Sequence, residues 1–237
     1  MDARAGRHGL HIYRSDAHLA ASAARFAAAA LLRGEPVVLA PSRDHRAGVI
    51  AALRAARVLV EPLEAAGLLV IAGAEDDWTR LMAALADIRA KGFARAAVWS
   101  ETSDLLLKSG AGEAFRELER LWREAAAAGG LDVLCSYRAD LLDDGLYAGE
   151  LASVCGGHSH VSSCEAPPLL EAAVDGAFVE VMGHRDTGMA WSLASDYDAF
   201  PKALPSSVRR LGWIAANMPA TYKKVFAAAR ARTALSA

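Results

Sequence analysis

The chain has 237 residues, 54% hydrophobic and 23% charged, with a formal net charge of -2 at pH 7. Enough apolar surface is present to bury a core, which excludes an extended disordered chain, and the charge balance excludes an overall basic field, so direct binding of nucleic acid is not expected. Three cysteines form no even-numbered disulfide framework, and the opening MDARAGRHGLHIYRSD lacks the apolar core of a signal peptide, so a soluble, cytoplasmic protein with no membrane span is expected.

After a polar entry, SDAHLAASAARFAAAALLRGE reads as a helix with Ser15 or Asp16 as its N-cap and Gly34 just past its end. PVVLAPS at 36–42 is a short apolar run closed by proline and serine, as in a buried strand. A helix capped by Asp44 runs to Ala56, and RVLVEPLEAAG after it is ambiguous. LLVIAG at 68–73 is a second strand, and EDDWTRLMAALADIRAKGF is a helix with acids in its first turn and Lys91 and Gly92 at its end. ARAAVWSET gives a third strand, GAGEAFRELERLWREAAAAGG a helix, LDVLCSY a fourth strand, and DLLDDGLYAGELASVCGGH a shorter helix.

Strands alternating with helices longer than ten residues need crossover connections, which place helices on both faces of a parallel sheet. Residues 1–165 are therefore expected to form a three-layer α/β domain with a mostly parallel sheet. Functional groups in such sheets gather at the carboxyl ends of the strands, where Ser42, Ser100, Glu101, Tyr137 and Arg138 fall. The pattern changes over 166–237. AFVEVMGHRDTGMAWSLAS offers two runs either side of GHRDTG, a β-hairpin that would extend the sheet. From Pro201 onward there are seven basic residues (Lys202, Arg209, Arg210, Lys223, Lys224, Arg230, Arg232) and no acid, and Pro201, Pro205 and Pro219 divide this tail into two helices. Such a tail would pack on the domain, form a homodimer or dock on an acidic partner.

Several chemistries lack their motif. No G-x-x-x-x-G-K-[ST] stretch exists to cradle phosphates, and RHGLHIYRSD stands in its place before the first long helix. No G-x-S-x-G elbow supports serine catalysis. Cys135 in LDVLCSY is either a core thiol or a group activated by Arg138 or a histidine. CGGHSHVSSC places Cys155, His158, His160 and Cys164 at short spacing, the pattern of a zinc site or a metal- or redox-responsive switch, although its glycine pair equally marks a helix end.

HIY at 11–13, FAAAALLRGE, the WSET strand end, ELERL, VLCSY and VCGGHSHV occur in an order that resembles the MEDS domain, the sensory domain named after the dichloromethane regulator DcmR. The resemblance covers residues 8 to 165. It implies a degenerate RecA- and KaiC-like fold and a non-catalytic sensory role. A small hydrocarbon-derived ligand would be recognised, with the signal passed to a partner protein and no cofactor required, zinc being the alternative. Carried over position by position, the ligand-binding residues would be His11, Tyr13, Glu35, Glu101, Cys135, Tyr137 and His158, with the two strand ends and the CGGH turn brought to one end of the sheet. The DNA-binding helix-turn-helix of DcmR-type regulators has no counterpart in the ten residues before His11. A degenerate nucleotide-binding protein and a purely structural adaptor remain the other readings.

Overall fold

The computed structural model describes residues 6–76, 78–138, 154, 157–162, 168–195 and 204–234. In chain order the elements are β1 (His8–Tyr13), α1 (Asp16–Leu32), β2 (Val37–Ala40), α2 (Arg43–Ala55), α3 (Val60–Ala65), β3 (Leu69–Ile71), α4 (Trp78–Ala90), β4 (Ala96–Ser100), α5 (Thr102–Lys108), α6 (Gly112–Ala127), β5 (Leu131–Arg138), β6 (His160–Ser162), α7 (Pro168–Ser195), α8 (Ser206–Asn217) and α9 (Pro219–Ala234). They form an α/β fold. The sheet order is β3-β2-β4-β5-β1-β6, and the pairings β1 with β5, β5 with β4, β4 with β2 and β2 with β3 are all parallel.

The chain divides into two compact units, residues 1–138 with 157–160, and 139–156 with 161–237. In the first unit, β2 and β4 are buried along their whole length, as strands covered on both faces must be. One face packs Val37, Leu39, Ala97, Trp99 and Leu134 against Leu19, Ala23, Ala27 and Ala30 of α1 and Val49 and Leu53 of α2. The alanines of α1 let that helix approach the sheet closely. Helix α6 packs against β1 and β5 and buries Phe115, Leu118, Glu119, Trp122 and Ala126, a stripe at helical spacing.

Local signals act much as the sequence implies. Ser15 caps α1, its side chain accepting a hydrogen bond from the His18 backbone N–H at 3.2 Å. The N-cap of α2 is Ser42 rather than Asp44, which lies in the first turn. Gly129 and Gly130, with φ of 84° and 80°, turn the chain from α6 into β5, and a Cβ on Gly130 would stand 2.7 Å from the Ala94 carbonyl oxygen, so only glycine fits.

Four elements went unrecognised in the sequence: β1, α3, α5 and β6. HGLHIY reads as polar, yet all six residues are buried because tertiary contacts supply partners for both histidines. The helix expected from residue 140 lies mostly outside the described residues.

The expected β-hairpin is not formed. AFVEVMGHRDTGMAWSLAS is helical within α7. Its buried positions Leu170, Ala173, Val174, Ala177 and Phe178 recur at helical spacing, which prevails over the two-residue alternation a strand requires. Gly183, read as the turn, is instead a break with φ 76° and ψ 164° inside the helix. In this second unit α7, α8 and α9 pack on one another. Arg210 pairs with Asp175 at 2.5 Å and lies over the Trp191 ring at 4.0 Å, while Arg232 pairs with Glu180 at 2.9 Å. Acids of α7 thus balance two of the seven basic residues.

Candidate functional site

Side chains alternate across a strand, so residues an odd number apart face opposite ways. His8 and His11 are three apart on β1, and each anchors a different buried polar centre in the first unit.

The centre on the α1 and α2 face joins His11 and Tyr13 of β1 to Glu101, Ser42 and His45. The Tyr13 hydroxyl donates to Glu101 Oε1 at 2.9 Å, and the Ser42 backbone N–H donates to Glu101 Oε2 at 2.9 Å. His45 Nδ1 stands 2.8 Å from both Glu101 Oε1 and Ser42 Oγ. Glu101 occupies the N-cap of α5, yet makes no capping bond; its carboxylate serves the neighbouring strands and α2 instead. Burial, reinforced by the Glu101 charge, raises the Tyr13 phenol far above its usual range, so Tyr13 remains a donor. His11 Nδ1 lies 3.2 Å from Ser136 Oγ, and its Nε2 meets no hydrogen-bond partner among the described residues. Burial, with His18 and Arg25 nearby, lowers His11 to about 4, so the ring is neutral at pH 7.

The other centre lies under α6, between β1 and β5. Cys135 is paired in register with Leu10, about midway along β1. Glu119 of α6 is its hub: Oε1 accepts from Tyr137 at 2.7 Å and from Ser103 Oγ at 2.6 Å. Its Oε2 lies 3.5 Å from His8 Nε2 and 3.2 Å from His158 Nε2. His8 Nε2 is 3.4 Å from Cys135 Sγ, and His8 Nδ1 is 3.2 Å from the Gly157 carbonyl oxygen. The His8 and His158 rings stack with centroids 4.1 Å apart. Burial foremost, then the neighbouring His158, lowers His8 to about 4 against the pull of Glu119. Burial and the Glu119 charge push the Cys135 thiol up, and burial with Cys135 and Glu119 does the same to the Tyr137 phenol, so Cys135 by itself is a protonated thiol rather than a reactive thiolate.

The sequence-derived residues therefore fall into three places. His11, Tyr13 and Glu101 come together, as do Cys135, Tyr137 and His158, but the two groups occupy opposite faces and do not form one pocket at one end of the sheet. Glu35 joins neither. It lies before β2 at the amino ends of the strands, held by Arg33 at 2.6 Å and Arg95 at 3.0 Å, with Asp132 3.3 Å from Arg95. Burial disfavours its charge, but the hydrogen bonds from the two arginines outweigh this and hold its carboxyl below the usual range.

His8, Ser103, Glu119 and His45 were missed. Glu119 carried a readable signal, being an acid on the apolar stripe of a strongly amphipathic helix; His8 carried none beyond its neighbourhood. Of the proposed zinc string, Cys155 and Cys164 lie outside the described residues, and His160 is exposed.

Beside these centres a cleft of about 670 Å³ opens between α5, α6 and the segment after β3, lined by Leu105, Leu106, Leu118, Leu121, Thr102 and Asp76 among others. Between β1 and α1 only Arg14 and Ser15 intervene, too short a connection for the phosphate-cradling loop of nucleotide hydrolases. No helix among the described residues is long and apolar enough to cross a membrane.

The first unit is a parallel α/β domain with buried histidine–carboxylate centres on both faces of its sheet. One family model matches residues 7–153: MEDS, MEthanogen/methylotroph, DcmR Sensory domain. The chain belongs to this family, and its α/β domain is a sensory domain. No curated protein matches the chain.

Proposed function

We propose that the chain is a non-catalytic sensory protein whose α/β unit binds a small hydrocarbon-derived ligand and whose liganded state is read by a partner signalling protein. The observation that supports this reading is the position of α5. Leu105 and Leu106 line the apolar cleft, while the flanking Glu101 and Ser103 reach the two buried centres. An apolar ligand of a few carbons occupies part of such a cleft by contact with the leucines, and Thr102 offers it a polar handle. A ligand that fits one position of α5 better than another shifts the population between them. The contacts of Tyr13, His11, Cys135, Tyr137 and His158 then change with the contacts of Glu101 and Glu119. Lys223, Lys224 and Arg230, exposed on α9, suit an acidic face of the partner or of a second copy.

The test is thermal unfolding of the full chain with a panel of one- to four-carbon alcohols, amines and halides. At least one class is expected to raise Tm in a saturable manner, and Leu106→Trp, which sets an indole in place of one of the leucines that contact the ligand, is expected to abolish that rise while leaving the ligand-free Tm nearly unchanged. A panel without any stabilising member, or stabilisation that survives Leu106→Trp, counts against the cleft.

A further inference from the structure

The His8, Glu119, Cys135 and His158 cluster carries more than a hydrogen-bond network. We propose that these four side chains are the ligands of a closed divalent transition-metal site, best suited to zinc. It is distinct from the Cys155, His158, His160 and Cys164 string.

Geometry is the first argument. One ligand atom from each residue lies within 4.8 Å of all the others. With metal–nitrogen and metal–oxygen bonds of about 2.0–2.1 Å and a metal–sulfur bond of about 2.3 Å, a tetrahedral site separates its ligand atoms by roughly 3.3–3.6 Å. Three of the six separations are 3.4 Å for His8 Nε2 to Cys135 Sγ, 3.5 Å for His8 Nε2 to Glu119 Oε2, and 3.2 Å for His158 Nε2 to Glu119 Oε2. They already approximate tetrahedral edges.

The surrounding contacts aim the donors inward. His8 Nδ1, beside the Gly157 carbonyl oxygen, carries the proton and leaves the Nε2 lone pair directed at the cluster. Tyr137 and Ser103 both donate to Glu119 Oε1, which turns the remaining oxygen, Oε2, toward the two histidines. No well-directed hydrogen bond reaches Oε2 among the described residues. An oriented imidazole and a carboxylate with one oxygen held and one offered are the outer contacts that metal sites use.

Charge is the third argument. When the metal displaces the Cys135 proton to solvent, thiolate and carboxylate together balance a divalent cation, and the buried site is neutral. Two imidazoles, one thiolate and one carboxylate select zinc over magnesium or calcium, which prefer oxygen. With four protein ligands no position is left open, so the metal pins α6 to β1, β5 and the 157–160 segment rather than activating water.

The experiment uses the full chain, reduced and stripped with chelator, titrated with Zn²⁺ against a chromophoric chelator and, separately, with Co²⁺. One zinc per chain is expected, together with the thiolate-to-cobalt charge-transfer band and the visible bands of a tetrahedral ion. Cys135→Ser should remove that charge-transfer band and weaken zinc binding at least tenfold, and Glu119→Gln should weaken zinc binding tenfold or more. The Cys155→Ser/Cys164→Ser double variant should bind as the parent does. A stripped parent chain that takes up no zinc overturns the site, as do a cobalt spectrum without thiolate character, zinc binding unchanged in Cys135→Ser, and zinc binding lost in the double variant. Should Cys135→Ser not fold, the parent titration and cobalt spectrum decide alone. The site goes beyond the ligand reading and fails separately from it: a chain that binds no zinc yet is stabilised by the organic panel loses only the metal proposal.

Discussion

Glu101 and Ser103, two residues apart at the start of α5, engage different buried carboxylate centres: Glu101 accepts from Tyr13 at 2.9 Å, and Ser103 donates to Glu119 at 2.6 Å. One short helix therefore touches both faces of the sheet. Removing either bond leaves a buried carboxylate with one donor fewer, at about 1–2 kcal/mol each for Tyr13→Phe and Ser103→Ala. If α5 couples the centres, the double variant departs from additivity by more than about 0.5 kcal/mol in urea unfolding; additive costs would mean that the centres are independent and that α5 is no relay.

His11 sets a pH dependence. Burial lowers it to about 4 from the ordinary 6.5, so between those values the unfolded chain binds the proton that the folded chain refuses. The associated stability is complete above about pH 6.5 and declines as the pH falls toward 4, by on the order of 3 kcal/mol in all. Urea unfolding of the parent and of His11→Asn across this window should show a shallower slope in the variant, by about one proton. Equal slopes would mean that His11 is not held neutral.

Glu35 is expected to matter for stability and not for the ligand. Glu35→Gln leaves the Arg33 and Arg95 guanidinium groups without the carboxylate between them and should cost about 1–2 kcal/mol, a modest figure because Arg33 is partly solvated. The response to the organic panel should not change. A lost response with intact stability would return Glu35 to the ligand site.

Gly130→Ala tests the turn into β5. The backbone there has φ 80°, and the added methyl would meet the Ala94 carbonyl oxygen at 2.7 Å. A loss of at least about 2 kcal/mol is expected; Gly34→Ala, where nothing crowds the new methyl, should cost less.

Helices α1, α2, α4 and α6 and strands β2 to β5 were legible, because each carries its own signal: Ser15 as a cap, glycines past helix ends, an apolar run too short for a helix. The hairpin was misread because GHRDTG resembles a turn locally, while the burial spacing from Leu170 to Phe178 that makes α7 helical extends beyond the window a turn occupies. Strand β1 escaped for the converse reason: its histidines look like surface until Ser136, Cys135 and Gly157, more than a hundred residues away, supply their partners.

The sequence by itself determined the alternation of strands and helices and the missing phosphate loop; it drew His11, Tyr13, Glu35, Glu101, Cys135, Tyr137 and His158 together only through the family resemblance, and in one polar centre lining a ligand pocket. Only the tertiary structure decided that there are two such centres, that Glu119 and His8 complete one of them, and that Glu35 stands at the other end of the strands. The physical reason is parity and register. A one-residue difference along a strand sends a side chain to the opposite face, and which helix waits on that face depends on chain connections that no local pattern records.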